Sequence, residues 1–190
     1  VKEIFLGGEV FGVETYKITV ISDEPEAKLL AFQKDILAPF LKKFNQEFST
    51  YIPDSYISKL NKSELNVSLP TSSYFDKAFE ESLWVNQETD GAFDPSVGSL
   101  INLWGFGEKK HDQKDVTEVE VKEALSQRGM DAFEWAKGSI KKKRNVSLNL
   151  SSVAESFAVD LVAKLLDKEG YQNYLIDIGG ENLAKGHNIE

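Results

Sequence analysis

Hydrophobic and polar positions along the chain fall into short segments of two different periods. Across residues 12–21, Thr15, Lys17 and Thr19 alternate with Tyr16, Ile18 and Val20, the period of a half-buried strand. After the polar break Ser22-Asp23-Glu24-Pro25, Leu29, Leu30, Ile36, Leu37, Leu41, Phe44 and Phe48 recur near helical spacing. That spacing predicts a helix over 26–48, which Pro39 kinks or splits. Residues 49–61 lack a clean period and are rich in turn formers, so they read as an ordered loop ending in a short strand or turn. A second helix is predicted over 72–89, with Tyr74, Phe75, Ala78, Phe79, Leu83 and Trp84 as its buried stripe. Residues 90–107 read as loop, helical turn and loop.

A third amphipathic helix is predicted over 117–129, with Thr117 and Glu120 as a capping box and Gly129 at its close. Residues 132–150 read as a pair of hairpin strands around Lys137-Gly138-Ser139. The clearest helix covers 151–169, with Val153, Phe157, Leu161, Leu165 and Leu166 on its core face and Gly170 ending it. A strand at 174–178, a Gly179-Gly180 turn and the start of another strand at 181–185 follow. Helices mixed with hairpin-connected strands favour an α+β fold over a doubly wound parallel sheet.

Charge narrows the classes of partner. The 190 residues carry 31 acidic and 22 basic groups, a formal charge of −9, and that field repels nucleic acid and anionic lipid headgroups. The basic run Lys141-Lys142-Lys143-Arg144 reads as a solvated hairpin edge rather than an anion contact. With no cysteine, disulfides, thiolate metal sites and cysteine nucleophiles are excluded, which suits an oxidising compartment. No run approaches the roughly 20 apolar residues that span a bilayer. The start Val1-Lys2-Glu3 is no signal peptide, so the reading expects any targeting segment to be gone.

Three segments carry candidate chemistry. Residues 90–107, DGAFDPSVGSLINLWGFG, combine four glycines and a proline with Phe93, Trp104 and Phe106, a composition suited either to holding a flat ring near backbone amides or to a rigid structural loop. At 149–160, NLSSVAESFAVD, a strand feeds a helix whose free amides attract a diphosphate. Ser152 and Glu155 offer a capping box that would satisfy the same amides internally. Asp177 and Glu181 flank the Gly179-Gly180 turn, as metal or ribose ligands or as solvated acids of a hairpin. His111 and His187 lack metal-ligand spacing and read as surface residues.

In order, these blocks resemble one family, the FAD:protein FMN transferases (ApbE). Gly8-Glu9-Val10-Phe11-Gly12 with Thr15-Tyr16 is similar to its opening, Phe11 standing where Met is usual. Phe48-Ser49-Thr50-Tyr51 through Asp54-Ser55, then Ile57-Ser58-Lys59-Leu60-Asn61, is similar to its M-S-T-Y…S-x-I-S-x-L-N segment. Residues 90–98 and 102–107 match its most specific signature almost letter for letter, and 149–160 and 177–181 match the next two blocks.

The resemblance implies an α+β, T-fold-like domain with mixed and antiparallel sheets and packed helices, of which residues 1–190 would be the N-terminal and central part. It implies Mg²⁺-dependent transfer of FMN from FAD to a Ser or Thr hydroxyl of an acceptor flavoprotein, a redox-complex subunit with an FMN-binding domain. The alternatives are FAD hydrolysis to FMN and AMP, or non-catalytic FAD binding. By motif, Phe11, Tyr51, Ala92, Phe93, Asp94, Asn149 and Glu155 would contact the cofactor, and Ser152 or the Ala154 carbonyl would touch Mg²⁺. A periplasmic or other extracytoplasmic, lipid-anchored location is the family's usual one. Asn149 stands where the family has Asp, and Ser156 where it has Gly. The family's His-bearing segment and Asp/Thr metal pair would lie beyond residue 190, and with them the catalytic residues. This reading therefore expects the chain alone to be an inactive, C-terminally incomplete piece.

Overall fold

Alternation over residues 14–22 and on the neighbouring strands builds the first structural layer. The computed structural model describes residues 1–10, 14–107 and 116–189. Strands β1 (Lys2–Val10), β2 (Glu14–Ser22), β6 (Tyr174–Ile178) and β7 (Glu181–Lys185) form an antiparallel sheet in the order β1-β2-β6-β7. One face is apolar across β1, β2 and β6, where Ile4, Leu6, Tyr16, Ile18, Val20, Tyr174, Ile176 and Ile178 are all buried, while on β7 the same face carries Glu181, Leu183 and Lys185. The opposite face carries the cross-strand row Phe5, Thr19, Leu175 and Ala184, where Phe5 is 68% and Leu175 46% exposed. The sheet is thus stabilised mainly from one side, each buried aliphatic side chain contributing about 1.5–3 kcal/mol.

β1 escapes the sequence period for an identifiable reason. Gly8 pairs with Tyr16, and a Cβ at Gly8 would lie 2.7 Å from the tyrosine ring. The ring therefore occupies the place where alternation would demand a side chain. Gln33 Nε2 donates to Gly7 O and to the Tyr16 hydroxyl, both at 2.9 Å, fixing this corner.

Chain contacts divide the protein into two compact units, residues 1–46 with 154–190 and residues 47–153. The first holds the four-stranded sheet, α1 (Glu26–Phe32), most of α2 (Ala38–Phe48) and most of α7 (Ser151–Lys168). Between α1 and α2 lies a π turn at Gln33–Leu37, in which the amide of Ala38 reaches back five residues to Gln33 O. The widened turn sits just before Pro39, which has no N–H and whose ring would meet the carbonyl four residues back in a regular helix. The expected disturbance at Pro39 is therefore a π turn. Phe44 meets Phe157 edge-on at 5.9 Å, tying α2 to α7.

The buried line of α7 differs from the expected one. Ala154, Ala158, Val159, Val162, Ala163 and Leu166 are buried, while Val153, Phe157, Leu161 and Leu165 are only half-buried. Small residues at four-residue spacing allow close approach along the centre of the face, and the larger side chains flank it.

The second unit holds α3 (Tyr56–Lys62), β3 (Leu69–Pro70), α4 (Ser73–Glu88), α5 (Gly98–Leu103), α6 (Glu118–Ser126), β4 (Phe133–Ala136) and β5 (Ser139–Lys142). Its core is aromatic: Phe75 stacks between Phe48 and Phe79, and Phe79 meets Phe133 and Trp135. Asp76, buried at the start of α4, accepts from Thr71 Oγ1 (2.6 Å), Trp135 Nε1 (2.9 Å) and Gly138 N (2.8 Å). Burial alone would raise its pKa, but these donors outweigh burial and hold the carboxyl below its ordinary value. One carboxylate thereby locks the β4–β5 turn to α4.

The α+β class with antiparallel sheets is as expected, and several local readings are corrected. Part of the supposed loop at 49–61 is α3, capped by Ser55, whose hydroxyl accepts from Ser58 N. A seven-residue helix is too short to show a period. Trp84 is 56% exposed and so not part of the α4 core. The capping box at Thr117 and Glu120 forms, but α6 ends at Ser126 and buries none of its residues. The basic run is no sheet edge: β5 is the middle strand of the order β3-β5-β4, and Lys142 is only 2% exposed.

Candidate functional site

Two helix ends shape the 90–107 segment. α4 and α5 each finish in a Schellman pattern. Gly91 N bonds Asn86 O and Asp90 N bonds Gln87 O, while Phe106 N bonds Ile101 O and Gly105 N bonds Asn102 O. The residue turning left-handed is Asp90 (φ 49°) in the first and Gly105 (φ 77°) in the second. The loop between them folds back on α4, with Ala92 N on Thr89 O, Phe93 N on Thr89 Oγ1 and Asn86 Nδ2 on Phe93 O. These amides are engaged within the chain, so what the loop offers a ligand is side chains more than bare N–H groups. Asp94 accepts from Ser96 N and Ser96 Oγ, and Ser96 Oγ in turn accepts from Gly129 N.

Beyond Asp94 the loop runs against residues 147–149. Asn149 N donates to Pro95 O (2.8 Å), Gly98 N donates to Ser147 O (3.0 Å), and Val97 forms a parallel bridge with Ser147. A Cβ at Gly98 would lie 2.7 Å from Ser147 O, so only glycine permits this approach. Asn61, Asn102, Ser147 and Asn149, with Thr50 and Ser58, line a cavity of about 160 Å³ at this seam. No carboxylate is among its lining residues, and Lys62 lies at it, in a chain that is acidic overall. Close by in sequence, Tyr51, Trp104 and Phe106 keep ring surface exposed, and the Tyr51 hydroxyl donates to Phe106 O at 3.0 Å.

Asn149 also governs the start of α7. Its Oδ1 accepts from Ser151 N at 2.9 Å, and Val153 N bonds Leu150 O. The expected capping box is therefore not the cap: Ser152 lies inside the helix, and the side-chain acceptor comes from Asn149. Ser152 and Ala154 lie in the first turn of α7, Ser152 exposed and Ala154 buried, with Glu155 just beyond.

The structure thus brings Asp94 and Asn149 to one seam, with Ala92 and Phe93 on the loop leading into it and Tyr51, between α2 and α3, bonded through its hydroxyl to Phe106 O at the end of that loop. Phe11 and His111 lie outside the described residues. The Asp177–Glu181 segment is a hairpin turn, with Asp177 Oδ1 accepting from Gly180 N and Asn182 Nδ2 donating to Gly180 O. Among the described residues, no group of three or more His, Asp or Glu side chains converges as a metal site. Missing from the sequence reading were Asn61, Asn102 and Ser147 as lining residues and Lys142 behind them. The readable signal for Lys142 was its parity with Ile140 on β5, which turns both inward.

A profile of the ApbE family matches residues 14–190. The FAD:protein FMN transferase of Haemophilus influenzae is 35% identical over 195 residues, covering 100% of this chain and 56% of that protein. The FAD:protein FMN transferase of Vibrio cholerae is 30% identical and is matched over 98% of this chain and 56% of its own length. Among solved structures, the flavin transferase ApbE from Vibrio cholerae superposes with a TM-score of 0.89 at 29% identity, over 98% of this chain and 60% of that one. Apo flavinyl transferase ApbE from Pseudomonas stutzeri does so with 0.84 at 26% identity, over 98% and 62%. The chain spans about half the length of the curated relatives it matches. A profile match over nearly the whole chain, joined to these relatives and superpositions, shows that the chain belongs to the ApbE family.

Proposed function

We propose that the protein acts in transfer of FMN from FAD to a Ser or Thr hydroxyl of a partner flavoprotein. The observation that carries this reading is the seam where the 94–98 loop is stitched to residues 147–149 around a polar, carboxylate-free cavity, in a chain whose relatives are named FAD:protein FMN transferases. The hydroxyl oxygen attacks the FMN phosphorus, a phosphoester forms, and the anhydride bond breaks to release AMP.

The chain's own groups divide the work of binding. Tyr51, with Trp104 and Phe106, presents planar surface to the ring systems, while Ala92, Phe93 and Asp94 set the loop between them and the cavity. Asn149, which lines the cavity, would meet the dinucleotide's polar centre, Glu155 is given a cofactor contact by the family resemblance, and the carboxylate-free lining spares the cavity the acidic repulsion present elsewhere. Mg²⁺, when bound, would neutralise charge on the diphosphate oxygens. The Ser152 hydroxyl and the Ala154 carbonyl are hard oxygen donors suited to it, and as both are neutral, the ion's charge would be balanced by the diphosphate. An extracytoplasmic, lipid-anchored location belongs to the same reading and rests on the family resemblance. No described helix is long and apolar enough to cross a membrane.

The test is incubation of the protein with FAD, Mg²⁺ and an acceptor flavoprotein domain, followed by in-gel flavin fluorescence after denaturation and AMP quantification. Covalent fluorescence with one AMP per flavin is the expected result. Steady AMP release without acceptor would replace transfer with hydrolysis, and saturable FAD binding with neither product would leave a binding protein.

A further inference from the structure

Residues 147–149 form an irregular segment with partners on both sides, Ser147 in an isolated bridge to Val97. Ser147 O and Asn149 N bond to the 95–98 loop. Leu148, whose backbone groups face the other way, pairs with no strand among the described residues. Instead Asn61 Nδ2 donates to Leu148 O and Leu148 N donates to Asn61 Oδ1, both at 2.8 Å. One carboxamide thus supplies the donor and acceptor that a neighbouring strand would present.

Asn61 is itself held from behind. Lys142 Nζ, on the central strand β5, donates to Asn61 O at 2.6 Å from a position 2% exposed. The acceptor is a carbonyl rather than a carboxylate, and burial lowers the pKa of the amine. An apolar side chain of similar length would avoid this desolvation cost, so the ammonium is poorly explained by stability alone.

We propose that Asn61, clamped by the buried Lys142, is a positioning residue that sets residues 147–149, and through them Asn149, at the floor of the dinucleotide cavity. This rests on the functional reading above for its ligand, but the clamp itself is testable without any ligand. Asn61 fixes where Ser147 and Asn149 stand relative to Gly98 and Asn102, so its loss loosens the cavity before it unfolds the unit.

Three variants test it: Asn61→Leu, Lys142→Met and, as a control in the same unit, Asp76→Asn. Amide hydrogen exchange read by NMR should be at least roughly tenfold faster at Leu148 and Asn149 in Asn61→Leu and Lys142→Met, with no change in the central residues of α4. Asp76→Asn should lower the thermal midpoint without this local signature. FAD affinity, followed by flavin fluorescence, should weaken roughly tenfold in the two clamp variants and stay at the wild-type value in the control. Unchanged exchange at Leu148 in Lys142→Met, the variant expected to fold best, overturns the clamp. Faster exchange with wild-type FAD affinity overturns its role at the site. A wild-type protein that binds no FAD refutes the functional reading instead, with the exchange arm still deciding the clamp.

Discussion

The two units are held by different kinds of interaction. In the first, an apolar face on β1, β2 and β6 is buried, and many side chains share the stabilisation. The second is smaller in sheet and richer in loop. There single polar residues, Asp76 at the β4–β5 turn and Asn61 with Lys142 at the 147–149 segment, each hold a whole segment of chain. Distributed apolar burial tolerates variation in detail, whereas a segment fixed by one carboxylate or one carboxamide depends on that residue's chemistry. Binding loops are commonly built in the second way, since their backbone must stay irregular.

Substitutions at each kind of position sharpen this contrast. Ile18→Ala, at the fully buried centre of the four-stranded sheet, should cost about 4 kcal/mol in urea unfolding. A loss under about 1 kcal/mol would mean that the apolar face does not hold the first unit. Asp76→Asn should cost about 2 kcal/mol, because the amide cannot accept from all three donors. Its pH signature is specific. The folded carboxyl titrates below the unfolded value near 4, so its contribution is present above about 4 and fades as pH falls through the lower folded value. The variant should lack that part of the acid slope.

Tyr174→Phe should cost about 1 kcal/mol by removing the 2.8 Å bond to Asp167. Burial and the Asp167 bond push the Tyr174 phenol up to about 12, so its contribution is present below about 10 and lost as pH rises through about 12. Alkaline melts of wild type and variant should converge in that window. Phe5→Lys, on the exposed face of the same sheet, should change stability by no more than about 0.5 kcal/mol. A larger loss would show that the outer face is also structurally engaged.

The same contrast explains what could be read in advance. β2 and β6 are legible because alternate residues are apolar and one face is buried. The C-terminal hairpin is legible from Gly179-Gly180, both of which take positive φ. α4 announces itself through its apolar stripe and α6 through Thr117, which does cap it. The span of α7 is legible but its buried line is not, because ranking positions by side-chain size favours Phe157 and Leu161 over Ala154 and Ala158. In the second unit, periodicity says little. α3 spans under two turns, and Lys142 reads as one more charge in a basic run because its polarity masks an inward parity that only the pairing of β5 reveals. At the site, the 90–107 loop is recognisable by residue type, but many of its amides, those of Ala92, Phe93, Ser96 and Gly98 among them, are engaged within the chain. The clamp on Leu148 joins residues 87 positions apart, a separation no local pattern encodes.

The enclosed amine of Lys142 also serves as a built-in gauge. Among the described lysines it is the one shielded from solvent, so acylating reagents applied to the native protein would reach it only when the strand around it opens. The rate at which mass spectrometry finds that single lysine modified, set against its exposed neighbours, would report how often this part of the molecule breathes.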